Sequence, residues 1–103
     1  MTSPNFMNVV RFKLKTDCIE EYFQIIDKTK FEGMTQRYIA KTGEYDYCFV
    51  GIWESAEAIA SQRPEMIRHL NEVRGLMEEL SPELGVTDPV SGIIVSKVGY
   101  HDR

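Results

Sequence analysis

Residues 45–53, Tyr-Asp-Tyr-Cys-Phe-Val-Gly-Ile-Trp, constrain the fold more than any other part of this 103-residue chain. Successive side chains of a strand point to opposite faces, and in this segment both sets are apolar. One set comprises Tyr45, Tyr47, Phe49 and Trp53, and the other comprises Cys48, Val50 and Ile52. A strand that is apolar on both faces needs cover on both, so we expect this one at the centre of a sheet and not at its edge.

Two further strands are predicted before this one. In residues 7–15, apolar side chains alternate with Arg and Lys side chains, which indicates a strand with one buried face. Residues 34–42 are joined to 45–53 by Gly43-Glu44, a short connection suited to a hairpin. They form the predicted second strand, and 45–53 forms the third.

A helix is predicted over residues 18–30. The carboxylate of Asp17 can accept hydrogen bonds from the unpaired amides of a first helical turn, and Glu20 completes a capping box. The apolar residues that follow share one helical face; they are Ile19, Tyr22, Phe23 and Ile26. Gly33 ends the connection to the second strand.

A second helical region is predicted from Ser55, a suitable cap, to about Leu80. Pro64 lacks an amide donor and its ring clashes with the preceding turn, so we expect a kink there. One apolar stripe continues beyond the kink, formed by Met66, Leu70, Val73, Met77 and Leu80.

The stretch from Pro82 to Gly92 is rich in turn residues and is predicted as a loop. The β-branched residues that follow predict a fourth strand; they are Ile93, Ile94, Val95 and Val98. The resulting order, βαββαβ, is typical of an α+β, ferredoxin-like sandwich in which two helices cover one face of a four-stranded antiparallel sheet.

The second face of such a sheet has no helix to cover it. We expect Tyr and Phe side chains of the third strand on this face, and an exposed apolar patch of that size usually marks an interface. Two copies packed face to face would cover each other symmetrically. The sequence therefore predicts a homodimer through the sheet face.

Composition and charge indicate one folded domain over residues 1–103, with a core at about 7–98. The hydrophobic content is 43%, and the formal net charge of −4 argues against a nucleic-acid partner, which needs clustered Lys and Arg. No run approaches the roughly 20 apolar residues of a membrane span, and the first residues lack a signal-peptide pattern. We expect a cytoplasmic protein with no membrane partner, in which both cysteines are free thiols.

From Asn8 to Val98 the chain resembles the antibiotic-biosynthesis-monooxygenase type of the dimeric α+β barrel superfamily. The resemblance is carried by the run Gly51-Ile52-Trp53-Glu54-Ser55-Ala56-Glu57-Ala58, by the helix behind it, and by the short last strand after Pro89-Val90-Ser91-Gly92. It implies a pocket between sheet and helices, in which characterised members oxidise phenolic or quinol-like substrates without metal or flavin. Related branches degrade haem, isomerise lactones or only bind small ligands.

Such oxidation needs a base, polar groups that hold a phenolate, and an apolar cavity. His69 is the candidate base, because helical geometry places it beside Met66 and Val73 at the edge of the buried stripe. The alternative is an exposed histidine paired with Glu65, four residues earlier.

Asn8 and Tyr38 complete the predicted catalytic set. Asn8 shares a strand face with Val10 and Phe12, where its neutral amide can bind a carbonyl or phenol oxygen; the alternative is a solvent-facing residue at the start of a strand. Tyr38 and Arg37 lie on opposite faces of the second strand, so at most one of them faces the pocket.

The predicted substrate-binding residues are Phe12, Phe23, Trp53 and Met66. Aromatic residues on a sheet face more often belong to a core or a dimer interface, and that alternative stays open for Trp53. We expect neither a metal nor a cofactor, because His69 and His101 are not at ligand spacing and no glycine-rich phosphate loop is present.

Two functions stay open. One is a cofactor-independent monooxygenase acting on a small aromatic phenol or quinol, and the other is a non-catalytic dimer that binds a small apolar ligand; a regulatory subunit is a third class. Haem-degrading relatives use a strand-one asparagine, which Asn8 matches, and a helix histidine, near which His69 lies. They also use a helix tryptophan, at whose position Ser61 stands, and this departure argues against haem degradation.

Overall fold

The computed structural model describes residues 5–99. Its elements in chain order are β1 (Phe6–Lys13), α1 (Ile19–Ile26), β2 (Met34–Lys41), β3 (Asp46–Trp53), α2 (Ala56–Ser61), α3 (Arg63–Val73) and β4 (Thr87–Ile93). The strands form one antiparallel sheet in the order β2-β3-β1-β4. The helices pack on one of its faces, which confirms the predicted ferredoxin-like fold. No helix within residues 5–99 is long and apolar enough to cross a membrane.

The central position predicted for β3 is confirmed, since it pairs with both β1 and β2. Its aromatic side chains, Tyr47, Phe49 and Trp53, are buried under the helices. The expectation that Tyr and Phe side chains lie on the open face is therefore wrong. The physical reason is that aromatic side chains bury the largest apolar areas, so the face that carries them is the one that the helices cover.

A row of apolar residues crosses the open face instead. Residues directly opposite each other in antiparallel strands point to the same face. Val9 of β1 is opposite Val50 of β3 and Val90 of β4, and Val50 is in turn opposite Tyr38 of β2. This open-face row (Tyr38, Val50, Val9 and Val90) spans all four strands, and its two ends are 60% and 65% exposed.

The fourth strand is Thr87–Ile93, and it overlaps the predicted strand over residues 93–98 only at Ile93. Residues 87–92 lie in the stretch predicted as a loop, so the predicted position of this strand is wrong. β4 is an edge strand, and an edge tolerates Pro89 because one side of it needs no amide donors. Beyond Ile93 the β-branched run lies outside the strands of residues 5–99. The amide of Ile94 still donates a hydrogen bond of 2.9 Å to the carbonyl of Asn5, whereas Val95 is 91% exposed. The residues that pair with β1 at this edge of the sheet are therefore not those that β-branching predicts.

The first helix is shorter than predicted and is capped differently. It begins at Ile19 and ends at Ile26, and its N-cap is Cys18, which makes no side-chain capping bond. The predicted cap, Asp17, accepts a hydrogen bond from the Cys18 thiol at 3.7 Å instead.

The second helical region is interrupted as predicted, although the break lies at Gln62 and Pro64 stands in the first turn of α3. A proline there displaces no helical hydrogen bond, because first-turn amides have no partner in the helix. The predicted end near Leu80 is wrong: α3 ends at Val73, and a 3-10 turn follows it. Met77 leaves the helical path to form a β-bridge with Leu14.

Gly33 joins α1 to β2 in a conformation that other residues rarely adopt. Its φ is +86°, and a Cβ at this position would lie 2.8 Å from the Cβ of Ala58 in α2. Its carbonyl also accepts a hydrogen bond of 2.9 Å from the amide of Glu54. The absence of a side chain at Gly33 therefore lets α2 approach the sheet.

We expect Gly33→Ala to lower the free energy of unfolding by about 1–3 kcal/mol, because alanine is strained at positive φ and its methyl group meets Ala58. Urea denaturation measures the change. Gly75→Ala is the matched control, since its φ is not positive and a Cβ there meets nothing within 4 Å. Equal stabilities of the two variants would contradict this account of Gly33.

Candidate functional site

A cavity of about 250 Å³ lies between the covered face of the sheet and helices α1 and α3. Most of its wall is apolar, and it has few polar groups. Its lining residues are Asn8, Val10, Phe12, Tyr22, Phe31, Phe49, Arg63, Met66, Ile67, His69, Leu70, Val73, Met77, Thr87 and Pro89. A mostly apolar pocket with a few polar groups is the usual form of a small-molecule site.

Asn8 is the buried polar group on the sheet side of this cavity. It is 5% exposed, and its Oδ1 accepts a hydrogen bond of 2.8 Å from the indole Nε1 of Trp53. Asn8 is opposite Gly51 of β3, and a Cβ on Gly51 would lie 2.5 Å from that Oδ1. Glycine at position 51 thus makes room for the Asn8–Trp53 bond.

The bond to Trp53 fixes how Asn8 can interact with a ligand. A side-chain amide has one acceptor oxygen and a donor nitrogen with two protons. The oxygen is engaged by the indole, and Nδ2 makes no hydrogen bond with residues 5–99. Asn8 can therefore donate to a ligand oxygen from a side chain that is already held in place.

His69 contributes the second polar group, from α3. Its side chain is only 12% exposed, and its ring meets Phe31 edge to face with centroids 5.9 Å apart. Its Nδ1 is buried without a hydrogen-bond partner in the described chain, and the nearest carboxylate oxygen, Glu72 Oε1, is 4.0 Å away. The sequence alternative of a pair with Glu65 does not form, because Glu65 binds Arg68 at 2.8 Å.

Burial lowers the pKa of His69; Glu72 opposes this shift, and Arg68 adds to it. Desolvation disfavours the charged imidazolium, so the neutral ring, which has one basic nitrogen, predominates at neutral pH. The side chain can then accept a proton from a ligand in the cavity.

Tyr22 and Arg63 also line the cavity, and the sequence pattern predicts no part in the site for either. The sequence pattern places Tyr22 in the apolar stripe of α1. Its hydroxyl group distinguishes it from the other residues of that stripe and is the feature that could indicate a place in the site. Burial raises the pKa of Tyr22 well above its ordinary value; Arg37 opposes the shift and Asp27 adds to it. The phenol therefore stays neutral.

The structure brings some of the predicted site residues together and separates the others. Asn8, His69, Phe12 and Met66 line the cavity. Tyr38 does not, because it lies on the opposite face of the sheet in the open-face row.

Two predicted aromatic contacts belong to the core. Trp53 is fully buried against Phe31 and Ile59 and reaches the site only through its bond to Asn8. Phe23 packs against Tyr22 and Tyr47, with ring centroids 5.3 and 5.6 Å away, and does not line the cavity.

No family model matches the sequence, and no curated protein is similar to it in sequence. Several solved structures are nevertheless similar. SnoaB, a cofactor-independent oxygenase from Streptomyces nogalater, superposes with a TM-score of 0.72 at 12% identity, covering 95% of this chain and 100% of that one. A dimeric ferredoxin-like protein from an uncultured marine organism gives a TM-score of 0.70 at 12% identity, covering 96% and 95%.

The monooxygenase ActVA-Orf6 of Streptomyces coelicolor, solved with nanaomycin D, gives a TM-score of 0.57 at 15% identity, covering 95% of this chain and 94% of that one. These similarities extend over almost the whole chain. They confirm, at the level of the fold, the resemblance to antibiotic-biosynthesis monooxygenases that the sequence indicated.

We expect Asn8→Leu and Trp53→Phe each to lower the free energy of unfolding by about 1–3 kcal/mol, because each leaves a buried polar atom without its partner. The double variant should lose less than the sum of the two, by about 0.5–3 kcal/mol, as measured by urea denaturation. Leu14→Ala combined with Asn8→Leu is the control pair and should be additive, since the two residues are six positions apart along one extended segment. Additivity of the Asn8 and Trp53 changes would contradict the assigned bond.

Proposed function

We propose that this protein is a cofactor-independent monooxygenase that oxidises a planar phenol or quinol inside the cavity. The observation that carries the proposal is that two different polar groups line one apolar cavity: a buried histidine with a lowered pKa, His69, and an immobilised amide, Asn8. The names of two structural neighbours, a cofactor-independent oxygenase and a monooxygenase, support the same class.

In the proposed reaction His69 accepts the phenolic proton. The resulting phenolate is electron-rich and reduces O₂ more readily than the phenol does. Nδ2 of Asn8 donates a hydrogen bond to the phenolate oxygen and holds the ring in one orientation. For a substrate such as anthrone, the proton that His69 accepts comes from the CH₂ carbon of the ring, and its loss gives the corresponding phenolate. Both C–H bonds of that carbon break during the reaction, and one atom of O₂ becomes its carbonyl oxygen. The other atom leaves as water with the two hydrogens, and the substrate supplies all four electrons.

The apolar wall contributes to both steps. Leu70, Val73 and Met77 lie around the polar groups and keep bulk water away from them. In such surroundings a neutral histidine is favoured before the reaction, and reactive oxygen intermediates are protected from side reactions with water.

We also propose that two copies associate through their open sheet faces. The open-face row is apolar on every strand, and the faces on either side of a two-fold axis would be identical. One neighbour of the same fold is described as dimeric. Association would then leave the cavity, which lies on the covered face, free for ligand.

Light scattering at micromolar concentration should give about twice the chain mass of 11.9 kDa. Val90→Lys should give the mass of a single chain, because it places a charge at the end of the open-face row. Ile67→Lys is the control, since Ile67 is a similarly exposed apolar residue on α3, which packs on the covered face. A wild-type mass of 11.9 kDa would contradict the proposed dimer.

The test of activity is oxygen uptake with hydroquinones and anthrones. We expect His69→Gln to lower the rate by about 10²-fold or more, because glutamine cannot accept the phenolic proton as a base. Asn71→Ala, on the exposed side of the same helix, is the control and should keep the wild-type rate. Binding of these compounds without oxygen uptake would reject the enzyme and favour the alternative, a dimer that only binds small apolar ligands.

The pH profile of the wild type provides a second readout of His69. Because burial lowers its pKa, the neutral base is present at pH 7, and kcat/KM should fall only as the pH drops below the ordinary histidine value of about 6.5. Residual activity of His69→Gln should lack this inflection. An inflection unchanged by the substitution would remove His69 from the mechanism.

A further inference from the structure

Among the residues that the structure describes, Arg63 is the one permanently charged residue that lines the cavity. It is the first residue of α3, its side chain is exposed, and Ile67, one helical turn further on, is 55% exposed beside it. These residues form the rim of the cavity, whereas Asn8 is buried in its wall. A ligand that fills the cavity therefore lies within reach of a guanidinium group at the rim.

This guanidinium has no carboxylate partner in the described chain. Arg11 is paired with Asp88 at 2.9 Å, Arg37 with Asp27 at 3.1 Å and Arg68 with Glu65 at 2.8 Å. Arg63 makes no such pair within residues 5–99, and the same is true of Arg74, which does not line the cavity. The donors of Arg63 are thus available to a ligand.

The interior of the cavity offers no second site for an anion. Its polar groups are uncharged: the amide of Asn8, a phenol whose pKa is raised at Tyr22, a histidine whose pKa is lowered at His69, and the hydroxyl of Thr87. An ionised group on a ligand would lose hydration there without gaining a countercharge. The rim of the cavity therefore carries a positive charge, whereas its interior carries none. An anionic group of a ligand is favoured at the rim, and an uncharged group is favoured in the interior.

We propose that the ligand is an aromatic carboxylic acid whose carboxylate binds Arg63 at the rim while its phenolic ring lies in the cavity. A guanidinium presents two parallel N–H donors that match the two oxygens of a carboxylate. The orientation rests on the proposed function, because it places the phenolic oxygen next to Asn8 and His69. The pairing with Arg63 is a property of binding and does not require turnover.

The negative net charge of the chain helps to distinguish a local binding site for an anion from general attraction of anions. At −4, the protein as a whole repels anions, so a preference for an acid over its neutral amide has to come from a local group. The probes are 6-hydroxy-2-naphthoate and 6-hydroxy-2-naphthamide, which have the same rings and hydroxyl group and differ in charge. Isothermal titration calorimetry measures both affinities without requiring a reaction.

The wild type should bind the acid about tenfold or more tightly than the amide, and the preference should shrink as salt is added because the rim is exposed. Arg63→Gln should lose the preference and keep the affinity for the amide, and Arg63→Lys should retain part of it. Arg68→Gln, on the same helix, should behave as the wild type. Equal affinities of the wild type for the two probes, a preference that survives Arg63→Gln, or no binding of either probe would overturn the proposal.

Calorimetry combined with the oxygen-uptake assay separates this inference from the proposed oxygenase activity. A preference that depends on Arg63, found in a protein that consumes no oxygen with any phenol, would support the inference and reject the enzyme. Oxygen uptake with neutral phenols and no preference for the acid would reject the inference and keep the enzyme.

Discussion

The hydrogen bond from the Trp53 indole to Asn8 is the interaction on which the site depends. It joins the two central strands inside the apolar layer under the helices, where an unpaired amide would be unfavourable. The same indole packs against Phe31 and Ile59, which ties the sheet to α2. Because α3 follows α2 almost directly, the position of Trp53 helps to set where His69 lies over the sheet.

A second constraint is that the helices cover only one face of the sheet. The two faces therefore differ in what they carry. The covered face holds the aromatic core and the cavity, whereas the open face carries a continuous apolar row. The proposed ligand binding and the proposed subunit association should therefore respond to different mutations.

Much of the fold follows from simple sequence patterns. A strand apolar on both faces had to be central, and alternation in β1 placed Asn8 on the covered face beside Val10 and Phe12. These features come from local periodicity, which the sequence displays directly.

The sequence predictions that are wrong concern features that depend on pairing between distant segments. The register of β2 shifts between Met34 and Gln36, and this irregularity moves Tyr38 to the open face, although strict alternation would place it on the same side as Met34. In β4, the residues that pair with β1 include a proline and a glycine, and their edge position makes this possible. The roles of Tyr22 and Arg63 depend on which side of each helix meets the cavity, and the sequence pattern does not specify it.

The central proposal is that a ligand binds in the cavity between the Asn8–Trp53 pair and His69. NMR with a neutral phenol tests this proposal most directly. The chain has one tryptophan, so its indole N–H gives a single resonance, and His69→Gln assigns the His69 ring. Titration with 2-naphthol should shift both signals and leave the side-chain methyl signals of Val9, Val50 and Val90 in the open-face row unchanged. Shifts confined to the open-face row, with the Trp53 indole and the His69 ring unaffected, would contradict the assignment of the site.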